Sequence, residues 1–159
     1  MCKFAFVAAF FISLPITAGE MEELFAGMGK CHLDKVVFVQ AESIDKSDIQ
    51  TPEYIKKLRR ITEVNGVARF AVQDNYFGLK AMYIDIPVML PRDDNQVWRI
   101  FFDENYFDVK KQLREKLHTS FPEKPVATKK YLAGNAPTIL IEKSTGRPYV
   151  TCRKTELGE

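Results

Sequence analysis

The sequence predicts an α+β domain: a mainly antiparallel sheet of about five strands, two or three helices packed on one face, and one disulfide. Three observations carry that expectation. Residues 67–73 (VARFAVQ), 79–86 (LKAMYIDI) and 97–103 (VWRIFFD) each alternate with period two. One set of positions is apolar: Ala68, Phe70 and Val72, then Met82, Ile84 and Ile86, then Trp98, Ile100 and Phe102. The other set holds Arg69, Gln73, Asp85, Arg99 and Asp103, so each strand has a buried side and a wet side. A helical stretch follows (NYFDVKKQLREKL), in which Val109, Leu113 and Leu117 repeat every four residues and turn towards the sheet. Asn105 is placed to cap it, with Asp108 at its third position.

The third observation is the cysteines. Residues 1–18 (MCKFAFVAAFFISLPITA) have the layout of a secretory signal peptide: Lys3, an apolar run, a break at Pro15, and Ile16-Thr17-Ala18 before a cut. The run is too short for a spanning helix of about 20 apolar residues, and Cys2 lies at the wrong end to be a lipidated first residue. Residues 19–159 are expected as the mature single domain, with no membrane span once the leader is gone. Cys31 and Cys152 then remain, and an oxidising compartment pairs them. A loop of roughly 120 residues closed this way is worth about 4–5 kcal/mol in the chain-entropy model.

The other elements follow in chain order. Met21, Leu24, Phe25 and Met28 make one helical stripe behind the acids Glu20, Glu22 and Glu23, and Gly29 is placed to stop it. Such a stripe is core contact before it is a partner face. Residues 36–40 (VVFVQ) form a short strand or buried connector, and 41–50 a polar loop. Thr51-Pro52-Glu53 opens a second helix carrying Ile55, Leu58 and Ile61, which Val64-Asn65-Gly66 closes. Lys56, Lys57, Arg59 and Arg60 would line that helix, as a solvated face or a patch for an acidic partner. Residues 74–78 (DNYFG) form a turn, and 87–96 a longer connection with Asp93-Asp94-Asn95 at its bend. Residues 121–137 form a long surface connection, and 138–143 pairs with 147–153 across Ser144-Thr145-Gly146. Cys152 shares a face with Val150, so the disulfide ties the last strand to the segment after the first helix.

Composition bounds the function. The chain is 46% apolar and 28% charged over 159 residues, as in an ordinary globular domain. Its formal charge of +2 falls to +1 when Lys3 leaves with the leader. That balance gives no field for nucleic acid. No nucleophile elbow, zinc-protease helix, phosphate loop or dinucleotide fingerprint is present. His32 and His118 with the two cysteines formally number four ligands, but in no zinc spacing. No catalytic residue, metal site or cofactor is therefore assigned.

The expectation is a small exported protein, periplasmic or secreted, that acts as a protein-binding module in the manner of an inhibitor or immunity protein. Its partner would be another protein. Tyr76, Phe77, Tyr106, Phe107 and Tyr131, with Lys129 and Lys130, are the candidate interface residues, since tyrosine is enriched where binding energy concentrates. A binder of small molecules or envelope components is the first alternative. A hydrolase with two carboxylates distant in sequence is the second.

Overall fold

A computed structural model describes residues 19–40, 50–89, 95–121 and 137–155. The elements run α1 (Glu20–Leu24), a 3-10 turn (Met28–Lys30), β1 (Phe38–Val39), α2 (Glu53–Lys56), β2 (Arg59–Val64), β3 (Val67–Tyr76), β4 (Leu79–Met89), β5 (Asn95–Phe102), α3 (Tyr106–Leu117), β6 (Thr138–Ile141) and β7 (Pro148–Thr155). Six strands pair antiparallel in the order β2-β3-β4-β5-β7-β6, and β1 pairs parallel with the end of β4. β2 to β5 form a meander, and the segment carrying α3 returns the chain to the far side of β5. The leader, residues 41–49 of the expected 41–50 loop, residues 90–94 of the expected 87–96 connection, residues 122–136 and the last four residues lie outside the described residues.

The α+β expectation holds, with more strand than the sequence predicts. The helix expected from Thr51 lasts one turn. Residues 59–64 form β2 instead, paired from Arg59↔Ala71 to Val64↔Val67. The reason is the Asn65-Gly66 pair. Both residues take positive φ (51° and 72°), the geometry of a two-residue hairpin whose twist matches its strands. β-branched Ile61, Thr62 and Val64 suit a strand better than a helix. β2 is an exposed edge, and Ile61 is not a core residue but 43% exposed. The basic cluster is dispersed accordingly. Lys56 pairs with Glu53, Lys57 with Glu20 at 2.8 Å, and Arg60 with Glu63 at 3.1 Å.

Three smaller differences share a cause in local geometry. The first helix ends at Leu24, before its stripe is complete, because the chain turns sharply at Gly27. A Cβ there would collide with the His32 carbonyl, while the amides of Lys30 and His32 both donate to the Gly27 carbonyl. The stripe is still core: Met21, Phe25 and Met28 are fully buried. β3 and β4 run on to Tyr76 and Met89, joined by Phe77-Gly78, both at positive φ. Register shifts beside Ala81 put that residue in the core and leave Met82 half-buried, where plain alternation predicts the reverse.

The helices and the amino-terminal segment cover one face of the sheet. Met21, Phe25, Ile55, Val109 and Leu113 join Phe70, Ile84, Trp98, Ile100 and Phe102 in one core. Buried polar atoms are satisfied across it. The Trp98 indole donates to the Val36 carbonyl at 2.6 Å, and the Tyr76 hydroxyl to the Phe25 carbonyl at 3.0 Å. Cys31 and Cys152 are bonded, with Cα atoms 5.4 Å apart and a sequence separation of 121. α3 begins as read: the Asn105 side chain accepts from the amides of Phe107 and Asp108.

Candidate functional site

The other face of the sheet carries no helix among the described residues, and the strand register organises it into rows. One row crosses all six strands of the ribbon: Thr62, Arg69, Asp85, Arg99, Thr151 and Thr138 are successive cross-strand partners. The next row is Arg59, Ala71, Tyr83, Phe101, Tyr149 and Leu140. A charged row therefore lies beside an aromatic one, and directly opposed side chains on one face are close enough to interact.

Asp85 is the centre of the charged row. Its side chain is only 4% exposed, and arginines flank it on both neighbouring strands. Arg69 donates to both carboxylate oxygens, Nε to Oδ1 at 2.7 Å and an Nη to Oδ2 at 3.0 Å. Arg99 donates to Oδ2 at 3.0 Å. Buried charge is tolerable only with such pairing, and the forked contact fixes the guanidinium plane. The Asp85 hydrogen bonds push the Arg69 pKa further above its ordinary value, against the opposing effect of burial.

The β6–β7 turn reaches towards the same centre. Glu142, the first residue after β6, accepts from Arg69 at 3.2 Å, although β6 and β3 lie far apart in the sheet. The Thr145 hydroxyl holds the other Glu142 oxygen at 2.6 Å. Arg147 sits 5.7 Å from the Tyr83 ring centre and 3.9 Å from Asp103. Beneath them Arg69 lies 4.4 Å over the Phe101 ring, and Phe101 packs on Tyr149 at 4.9 Å. Phe101 is consequently 1% exposed on what alternation alone marks as the wet face.

An open concavity of about 550 Å³ adjoins this centre. Its polar lining is Thr62, Asn65, Arg69, Asp85, Arg99 and Arg153, and Val64, Val67 and Val97 form its apolar wall. The sequence marked Arg69, Asp85 and Arg99 as outward-facing but did not join them. Only the register brings 69, 85 and 99 into line, and only the bend of the last hairpin adds Glu142.

The residues named as interface candidates fare differently from one another. Tyr76 is fully buried and offers no surface; burial, and after it the nearby Glu22 carboxylate, raises its pKa. Phe77 is half-buried on the Tyr76 ring at 4.6 Å, with its amide held by Glu22. Tyr106 and Phe107 open α3, and Phe107 is 78% exposed beside Lys110, Lys111 and Arg114. Lys129, Lys130 and Tyr131 lie outside the described residues. His32 follows the 3-10 turn and His118 ends α3, and the two segments adjoin, with His32, Lys116 and Leu117 lining one surface hollow. Among the described residues no three His, Cys, Asp or Glu side chains converge on a metal position, and no helix is long and apolar enough to cross a membrane. Comparison of the chain with protein-family models, with curated proteins and with solved structures found no match.

Proposed function

We propose that this is an exported protein that works by binding another protein, as an inhibitor or immunity-type neutraliser in the cell envelope, and that the open sheet face is the surface it uses. The observation that supports this reading is the charged row beside the aromatic row. Arginine and tyrosine are enriched among residues that carry binding energy. Here they are held in position before any partner arrives, because Asp85 and Glu142 hold Arg69, and Asp85 also holds Arg99. Preorganised side chains lose less entropy on association. The disulfide belongs to the same reading, since bonded cysteines are maintained in oxidising compartments.

The hydrolase alternative gains nothing from this centre. Asp85 accepts three N–H bonds and is nearly closed to solvent, so it has neither a free oxygen edge nor room for a substrate. The concavity beside this centre favours a small ligand, and its chemistry is taken up below.

The test is affinity capture with the oxidised protein from envelope and culture-fluid fractions, followed by mass spectrometry. The expected result is one stoichiometric protein that Val64→Glu and Arg153→Glu lose and that Phe107→Ala, on the helical side, retains. Equal capture by all three variants, or none by the unmodified protein, would sink the proposal.

A further inference from the structure

We infer that the concavity between the β2–β3 hairpin and the β5–β7 pair is a binding site for a carboxylate carried on a short apolar stem. The inference rests on the open face being a recognition surface. It is tested on the isolated protein with small probes, so that loss of carboxylate binding and loss of a protein partner remain distinguishable.

The charges around the centre do not close. Arg69 is answered by Asp85 and by Glu142. Arg99 spends one Nη on Asp85, and its Nε and second Nη have no hydrogen-bond partner among the described residues. Arg153 is exposed and has no ion-pair partner among them. Among the described residues, and with Arg147 answered by Asp103, the guanidinium groups of Arg69, Arg99 and Arg153 thus face the two carboxylates of Asp85 and Glu142, and the surplus positive charge lies on the Arg99–Arg153 side. Arg99 is opposite Thr151 and Val97 opposite Arg153, so the two arginines are diagonal neighbours on one face. Long side chains reach each other across that diagonal.

A single surplus charge calls for a monoanion, and a planar guanidinium edge matches a planar carboxylate in two parallel hydrogen bonds. The rest of the lining fixes the remainder of the ligand. Val64, 60% exposed, stands with Val67 and Val97 along the wall, which suits an alkyl stem and gives a polyanion nothing to contact. The volume is in the range of small-ligand sites, roughly 300–1,000 Å³. Such a group can be a free aliphatic acid or the terminal or side-chain carboxylate of a protein.

The probes are hexanoate and N-acetyl-leucine, with hexanol and N-acetyl-leucinamide as their uncharged counterparts. They are titrated at low salt into the full oxidised protein while the arginine Nε–H resonances are followed by NMR. The expected result is saturable shifts at Arg99 and Arg153 with one or both acids and none with the alcohol or amide. Arg153→Gln is expected to weaken binding about tenfold or more, the worth of a charge-assisted hydrogen bond. Val64→Asp, on the exposed β2 edge, should abolish it by placing a negative charge in the mouth. Binding of hexanoate would point to free acids, and of N-acetyl-leucine alone to a protein's carboxylate. Equal binding of acid and amide, no shift with either acid, or affinity unchanged in Arg153→Gln would overturn the inference.

Discussion

The two faces of this sheet are built from the same strands by different physics. On the covered face Trp98, Ile100 and Phe102 are removed from water by the helices and the 25–37 segment, and stability there scales with apolar area. On the open face no helix among the described residues covers Phe101, yet it is as buried as its neighbours. Arg69 and Tyr149 lie across it, and Arg69 is itself tied down by Asp85 and Glu142. One face excludes water with hydrocarbon. The other does so with charged groups that satisfy one another and lay their flat surfaces on a ring. The second arrangement is more specific and more easily broken, because each member depends on the others' charge.

The largest expected effect tests the covered face. Trp98→Ala should destabilise by about 3–5 kcal/mol through the cavity it leaves, with the Val36 carbonyl losing its donor as well. Denaturant unfolding measures this, and the loss should be insensitive to salt. On the open face, Asp85→Asn should cost about 2–3 kcal/mol, below the value for a fully closed pair because Arg69 and Arg99 are a quarter to a third exposed. That loss should shrink in high salt, where the uncompensated arginines are screened. Replacing Arg69, Asp85 and Arg99 together by apolar residues of similar volume should recover much of it. A salt-independent Asp85→Asn, or a triple variant worse than the single one, would erase the distinction between the faces.

A smaller effect has a pH signature. Tyr76→Phe removes a buried hydrogen bond and should cost about 1 kcal/mol near neutrality. Burial raises the Tyr76 pKa in the folded chain, so the folded state favours the neutral phenol. That preference is fully present below the unfolded value of about 10 and is lost as pH rises through the folded value. The gap between native protein and variant should therefore narrow in alkali. A gap that stays constant there would mean that the hydroxyl is open to solvent, since an unshifted pKa leaves stability independent of pH. The smallest effect concerns β2. Ile61→Lys should change stability by no more than about 0.5 kcal/mol, since the side chain is on an exposed edge. A loss of core size would restore the longer second helix.

The sequence by itself determined the period-two strands, the cap at Asn105, the apolar stripe of the first segment, the last hairpin and the pairing of Cys31 with Cys152. Each is written in near neighbours or in the cysteine count, and short-range chemistry decides it. The fate of residues 59–64 was legible too, in Asn65-Gly66, but a helix-start signal at Thr51 competed with it, and pairing with β3 decided the outcome. Tyr76 shows the limit: its position near a turn placed it outside, and the burial of the hairpin end against Phe25 placed it inside. The candidate site was decided by tertiary structure alone. Alternation marked Arg69, Asp85 and Arg99 as outward, but a shift of one residue in any ladder would have separated them, and local sequence does not encode register. Glu142 and Arg153 come from the far end of the chain. They meet that row because β7 packs beside β5 and its turn bends back over the face, a matter of long-range pairing that no local pattern records.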